Sequence, residues 1–214
     1  MVTPSAPYAL ALEPGLPWRA PAFVLEHLHV RASHPELQAE IDRLGAGLRA
    51  RHAAAQVAEI PGIAAVRQAY HASGIDPTKT RPSSEALLRR ILKGQSLYTV
   101  NTLVDALNYC SLKFLVPFGL YDLDGVQPPV ELRLGREGEG YEGIRKDRVN
   151  VAGRPCLADA AGPFGNPTSD SDRTKITLAT VRALVVPFLP LETEEPRCAA
   201  IAAETAAFLR RFSS

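Results

Sequence analysis

The stretch "NTLVDALNYCSLKFLVPFGLYDLDGV", residues 101–126, joins a predicted helix directly to a predicted strand. Val104 and Leu107 in its first half follow helical spacing. The second half, "VPFGLYDLDGV", is an extended aromatic run that Asp124-Gly125 interrupts. This junction therefore divides the chain into a helix-rich first part and a strand-rich second part.

The segments before the junction are mainly helical in pattern. Residues 21–55 read as a strand followed by a helix, and Ser33 with Glu36 three residues later has the spacing of a capping box. Two further helices are predicted over residues 61–74 and 83–94, each ending at a glycine.

The segments after the junction favour strands. "VELRL", residues 130–134, alternates apolar and charged side chains, and residues 176–191 are β-branched and apolar enough for one or two strands. An alanine-rich amphipathic helix follows over residues 196–212. We therefore predict an α+β fold in a single domain over residues 1–214.

Composition excludes several function classes. The 24 basic and 23 acidic residues leave a net charge of +1, so the chain as a whole does not attract nucleic acids or membranes. No apolar run approaches the ~20 residues that a membrane span needs. The start, "MVTPSAPYALALEPG", lacks the pattern of a signal peptide. We expect a cytoplasmic protein with no membrane or DNA partner, whose RNA contacts would come from a local patch.

No metal or cofactor site is predicted. The three cysteines are widely spaced and form no CxxC pair, which argues against zinc and against a disulfide framework. "GEGYEG", residues 138–143, formally matches a dinucleotide-binding loop, but its glutamates would repel phosphates and no helical start follows. This segment is predicted to be the tip of a hairpin.

The segment "GIDPTKTRPSSEALLRRILKG", residues 74–94, concentrates positive charge around a predicted helix start. Between Lys79 and Lys93 it has one acidic residue, Glu85, and five basic ones; they are Lys79, Arg81, Arg89, Arg90 and Lys93. Such a helix N-terminus could bind phosphate groups of RNA. The alternative is a solvated helix face.

Polar side chains also lie on the predicted helix of the junction. Asn108 and Ser111 follow Val104 at i+4 and i+7, so they share its face, and Asp105 is adjacent. Buried polar groups need hydrogen-bond partners. They either tie the helix to the following strand or line a pocket.

A third polar segment, "GPFGNPTSDSDRTKIT", residues 162–177, combines turn-forming residues with hydroxyls and charges. Together, these three segments resemble, in order and spacing, stand-alone B-three/four domain proteins, which are similar to the editing module of the beta subunit of bacterial phenylalanyl-tRNA synthetase. The resemblance covers residues 60–190, with the helix 196–212 and the N-terminal strand and helix packed on that core.

The resemblance implies a mixed, barrel-like β core surrounded by helices, and a pocket that hydrolyses wrongly charged tRNA. The resemblance implies that ten positions of this chain line the pocket: Asn108, Ser111, Gly119, Asp122, Thr168, Ser169, Asp170, Ser171, Arg173 and Thr174. The candidate catalytic residues are Asp170, Asp172, Ser169 and Thr168.

One position departs from the pattern of that family. The synthetase-type sequence is Pro-x-His-Ala-Phe-Asp, whereas this chain has "PFGLYD", which places Gly119 where the histidine would be. A glycine has no side chain to orient a water molecule, but it opens volume and permits close backbone approach. A group in the loop 162–177 would have to replace the histidine.

Three functions follow as hypotheses. The chain is a trans-acting hydrolase of mischarged aminoacyl-tRNA, a non-catalytic binder of an amino acid or related metabolite, or a tRNA-binding module without hydrolysis. The resemblance does not extend to the catalytic modules of the synthetase, so we do not expect a complete aminoacyl-tRNA synthetase.

Overall fold

The computed structural model describes residues 6–53, 55–145 and 147–213. Its helices are α1 (Pro35–His52), α2 (Pro61–Ala72), α3 (Ser83–Leu92), α4 (Thr102–Phe114) and α5 (Glu195–Ser213). Its strands are β1 (Ala6–Pro7), β2 (Ala11–Leu12), β3 (Trp18–Arg19), β4 (Phe23–Leu25), β5 (Phe118–Asp122), β6 (Glu131–Leu134), β7 (Gly140–Glu142), β8 (Arg148–Asn150), β9 (Pro155–Asp159), β10 (Gly162–Gly165), β11 (Ala183–Pro187) and β12 (Leu189–Pro190). In the described ranges, no helix combines the length and apolarity needed to cross a membrane.

The strands form two four-stranded sheets, in the orders β1-β4-β11-β5 and β10-β9-β6-β2, and the two-stranded pairs β3/β12 and β7/β8. Strand β2 runs parallel to β6, whereas the other paired strands are antiparallel. The predicted α+β class is confirmed. The two larger sheets keep open edges, at β5 and at β10, instead of closing into one hydrogen-bonded ring.

Two local expectations near the N-terminus were wrong. The strand-forming residues 21–31 predicted one long strand, but it ends at Leu25, because His27 adopts a positive φ of 57° that interrupts extended backbone. Helix α1 begins at Pro35, so its N-cap is His34, whose side chain makes no capping hydrogen bond. Ser33 therefore lies outside the helix and does not form the predicted capping box.

The junction between α4 and β5 is built by local hydrogen bonds. Asn101 caps α4 by accepting the Val104 N–H at 3.0 Å, and Leu115 ends the helix in the left-handed conformation, with φ 58°. The Ser111 hydroxyl then donates to the Val116 carbonyl at 2.7 Å. Ser111 thus ties the helix to the approach to β5, which was one of the two roles expected for it.

One hydrophobic cluster includes residues from all five helices and from both larger sheets. Helix α4 packs against α1, α3 and α5. The core therefore holds α3, α4 and β5 in the fixed relation on which the candidate site depends.

The edge strands β5 and β10 meet across the ring of Tyr121, which is fully buried. A methyl group added at Gly119 or at Gly165 would come within 2.6 Å of carbon atoms of that ring. Phe164 packs edge-on against it, with ring centroids 4.8 Å apart. Two glycines from different sheets thus make the space that the tyrosine fills.

Candidate functional site

A cavity of about 470 Å³ opens between α3, α4, β5 and the loop that follows β10. That volume lies within the ~300–1,000 Å³ typical of small-molecule sites. Most of its wall surface is apolar, although seven of the fifteen lining residues are polar or charged. The lining residues are Ser83, Leu87, Val100, Val104, Leu107, Asn108, Ser111, Phe118, Leu120, Ile144, Arg145, Asp170, Asp172, Lys175 and Ile176.

The α4 wall presents the half-buried Asn108 beside Ser111, whose hydroxyl is engaged with Val116. Phe118 and Leu120 extend this wall from β5, because alternate residues of a strand point to the same face. The Asn108 amide is therefore a polar group of the cavity set among apolar neighbours.

The opposite wall is a loop held by its own hydrogen bonds. The Asn166 side-chain oxygen accepts the N–H groups of Thr168 and Ser169 at 2.8 and 2.9 Å. Further on, the hydroxyls of Ser171 and Thr174 lie 3.0 Å apart, and both residues are buried. These bonds fix the loop on either side of Asp170, which lines the cavity.

The Asp170 carboxylate lies beside two buried phenols. Burial, and after it this carboxylate, hold the pKa of Tyr121 well above its ordinary value. The same two causes, in the same order, raise the pKa of Tyr141, whose hydroxyl donates to the Ser169 carbonyl at 2.6 Å. Both phenols therefore stay protonated near neutral pH; Tyr141 donates its hydrogen bond to Ser169, and Tyr121 can donate to Asp170.

Charged side chains form another part of the cavity lining. Asp172 pairs with Lys175 at 2.8 Å, and Arg145 adopts a positive φ of 52°. The Ile144 N–H donates to the Asp170 carbonyl at 3.2 Å, which attaches the segment after β7 to the loop. The site thus combines two carboxylates and two cations with an apolar interior. Among the described residues, no cluster has the three or more ligands that would hold a metal ion.

The profile of the B3/4 domain family matches residues 65–189. The chain belongs to the B3/4 domain family. The match includes the α4–β5 junction and the loop after β10, so the resemblance inferred from the sequence is confirmed.

An N-terminal fragment of the phenylalanyl-tRNA synthetase beta-subunit from Pyrococcus horikoshii is similar in structure, with a TM-score of 0.43 and 16% sequence identity. The similarity covers 52% of this chain and 40% of that one, so this chain spans less than half of that fragment. No curated protein matches the chain.

Several predicted pocket residues of this B3/4 domain lie elsewhere. The ring of Tyr121 occupies the position toward which a side chain at 119 would point, and Gly119 is not part of the cavity lining. Asp122 accepts the Thr180 hydroxyl at 2.6 Å and the Asp124 N–H at 3.1 Å, so it shapes the turn after β5.

Residues of the predicted loop also divide between structural and cavity positions. Gly162–Gly165 form β10, so the first quarter of that segment is strand. The Thr168 hydroxyl lies 2.8 Å from that of Tyr70, and Arg173 binds both carboxylate oxygens of Asp159 at 3.0 Å. Of the four catalytic candidates, Asp170 and Asp172 line the cavity.

The predicted basic patch is organised around Glu85, which is fully buried. Arg89 and Arg67 bind its carboxylate at 2.8 and 2.9 Å, and Arg81 lies 3.7 Å from it. Two of the five predicted cations, Arg81 and Arg89, are therefore paired with this buried carboxylate.

The other three cations of the patch are placed differently. Arg90 donates to the Ser96 carbonyl at 2.6 Å, and Lys93 is exposed at the end of α3. Lys79 is also exposed, close to Asp76.

The sequence reasoning missed Arg145, Lys175 and Tyr121 as parts of this site. Arg145 reaches the cavity because the backbone at Ile144 bonds to the loop, a long-range contact without a local sequence signal. Tyr121 had a signal, since a tyrosine two residues after a strand glycine can fold back over it.

Proposed function

We propose that this B3/4 domain hydrolyses the ester of an aminoacyl-tRNA, with the acyl group inside the cavity. The observation that carries this proposal is the Asp170 carboxylate on one wall of a mainly apolar cavity that also presents the Asn108 amide. Membership of the B3/4 family supports it, since a similar structure is part of a phenylalanyl-tRNA synthetase subunit. An apolar interior suits an uncharged amino-acid side chain.

In the proposed reaction, Asp170 accepts a proton from water, whose oxygen attacks the ester carbonyl carbon. The Asn108 amide N–H donates to the carbonyl oxygen as it gains negative charge. The bond from that carbon to the ribose oxygen then breaks, and the proton passes from Asp170 to the ribose oxygen. Free amino acid and uncharged tRNA are the products, and the Tyr121 hydroxyl keeps Asp170 oriented.

The test compares Asp170→Asn with Asp172→Asn on a panel of correctly charged and mischarged tRNAs. We expect wild type to release the amino acid faster than buffer and Asp170→Asn to lose about 100-fold or more of that rate, because general-base catalysis contributes ~10²–10⁴. Asp172→Asn tests the other carboxylate of the cavity, and Asp124→Asn, at an exposed carboxylate outside the cavity lining, is the control. Equal rates for Asp170→Asn and Asp124→Asn would reject Asp170 as the base.

A second candidate is a non-catalytic binder of an amino acid or related metabolite. It is favoured by the engagement of Ser111, Ser171 and Thr174 in internal hydrogen bonds, which leaves few hydroxyls for chemistry. Thermal unfolding against a panel of amino acids distinguishes the two functions. A ligand-dependent rise in Tm with no hydrolysis of any charged tRNA would support the binder, and tRNA binding without hydrolysis would support the RNA-binding module.

A further inference from the structure

Tyr98 and Arg90 form a fixed, exposed pair beside the cavity. The Arg90 guanidinium carbon lies 3.8 Å from the centroid of the Tyr98 ring, and its Nη1 is 3.0 Å from the Tyr98 hydroxyl. The Arg90 Nε is held in turn by the Ser96 carbonyl. One face of the ring is thus supported by a cation, although the residue is 71% exposed.

The pair is connected to the cavity by a short segment of chain. Val100 lines the cavity, is 53% exposed and follows Tyr98 by two residues, so their Cα atoms are at most ~7 Å apart. The Val100 N–H donates to the buried Asp105 carboxylate at 3.0 Å, which anchors this segment to α4. The exposed ring therefore has a defined position at the edge of the cavity.

A second cation follows Arg90 along the chain. Lys93 is the C-cap residue of α3, three residues after Arg90, a spacing that favours the same side of a helix. Arg81 and Arg89 are held by Glu85, whereas Lys93 is exposed. An aromatic face supported by a guanidinium, with an exposed ammonium one helical turn further along the chain, is suited to a base and its phosphate.

We propose that Tyr98, supported by Arg90, stacks the terminal base of a single-stranded RNA 3′ end, while Lys93 binds the adjacent phosphate. This inference rests on the proposed function, since the ester bond at that terminal ribose would then lie at the mouth of the cavity. Stacking accepts any base, so the platform positions the 3′ end without reading its sequence.

The test measures the Kd of uncharged tRNA, intact or lacking its 3′-terminal nucleotide, for wild type and variants of Tyr98. For intact tRNA, Tyr98→Ala should weaken binding about tenfold, and Tyr98→Trp and Tyr98→Phe should stay within about twofold of wild type. Removal of the terminal nucleotide should weaken wild type by a similar factor and leave Tyr98→Ala nearly unchanged. Leu191→Ala, which shortens another exposed apolar side chain, is the control and should bind like wild type.

Lys93→Gln should lower the affinity at low salt and reduce the slope of log Kd against log salt by about one. Equal affinity of wild type for the intact and shortened tRNAs, or an unchanged Kd in Tyr98→Ala, would overturn the platform even if hydrolysis is observed. Loss of hydrolysis in every assay, together with Tyr98-dependent binding of intact tRNA, would uphold the platform and reject the catalytic function.

Discussion

The segments 79–93 and 162–177 are both polar interruptions of an apolar sequence, and both are predicted to meet a ligand. In the first, Arg89 and Arg81 converge with Arg67 on one buried carboxylate. In the second, the hydroxyls of Ser171 and Thr174 bond to each other, while Asp170 lies between two phenols and a cavity.

The difference lies in the partners that the fold supplies. Glu85 has three guanidiniums around it, so its charge is compensated inside the protein and stabilises the fold. Asp170 lies beside two phenols that remain neutral, and it lines the cavity. Residue type alone does not separate these roles; the surroundings that the fold gives to each carboxylate do.

The largest effect is expected when the first region loses its acid. Glu85→Gln should lower the free energy of unfolding by about 3–5 kcal/mol, because three arginines around a buried position lose their counter-charge. Urea unfolding monitored by circular dichroism measures this change.

Asp124→Asn is the matched control for Glu85→Gln, since it breaks an exposed ion pair with Arg182. It should cost less than about 1 kcal/mol. If the two variants lose the same free energy of unfolding, the burial of Glu85 does not make its ion pairs more important than an exposed one.

In the segment 162–177, stability should depend on the space around buried side chains instead of on charge. Gly165→Ala should cost about 1–3 kcal/mol, because the new methyl group meets the buried Tyr121 ring and Gly119 on the other side of that ring prevents its retreat. The control is Gly47→Ala in α1, where an added methyl group has no neighbour within 4 Å. That change should stabilise the helix by about 0.5–1 kcal/mol. Thermal and urea unfolding of both variants check the prediction, and a neutral Gly165→Ala would contradict it.

A third carboxylate, Asp105, sharpens the comparison because it is buried without a guanidinium partner. Burial raises its pKa from 3.8 to about 6, although backbone N–H groups of Val100 and Asn101 oppose the shift. The folded protein therefore binds this proton more tightly than the unfolded chain does. The stabilisation is complete below pH 3.8 and is lost as the pH rises toward 6.

The measurement is the difference in unfolding free energy between wild type and Asp105→Asn at several pH values. Wild type should lose stability relative to the variant between about pH 4 and pH 6, and the difference should be constant above that range. The comparison with the variant removes the contributions of the other acids. A difference that is independent of pH over this window would mean that Asp105 titrates normally.

Much of the fold was predictable because its signals are local. Helices α2, α3 and α5 begin within a residue of their predicted starts, and Gly74 and Gly94 follow the ends of α2 and α3. The strand before α1 ended earlier than predicted because His27 has a positive φ, which at a non-glycine residue depends on tertiary contacts. The change from helices to strands at the α4–β5 junction, which suggested the α+β class, was confirmed.

The site was less predictable, because contacts between residues distant in sequence decide which side chains line the cavity. Thr168 bonds to Tyr70, 98 positions away, and Arg173 bonds to Asp159. Neither pairing has a sequence signal, so the sequence alone did not separate Thr168 and Arg173 from Asp170. The helical spacing of Asn108 and Ser111 did place both on one face, and the structure brings that face to the cavity.

The ring of Tyr121 also limits which sequences this chain can reach by single substitutions. A histidine at 119, as in the synthetase-type pattern, would enter the space that the tyrosine already fills, and Gly165 closes the other side. The atom nearest to such a side chain is the Tyr121 hydroxyl oxygen, and the synthetase-type pattern has Phe, which lacks that oxygen, at this position. The residues at 119 and 121 are therefore coupled by packing, and a histidine at 119 alone would disrupt the contact between the two sheets.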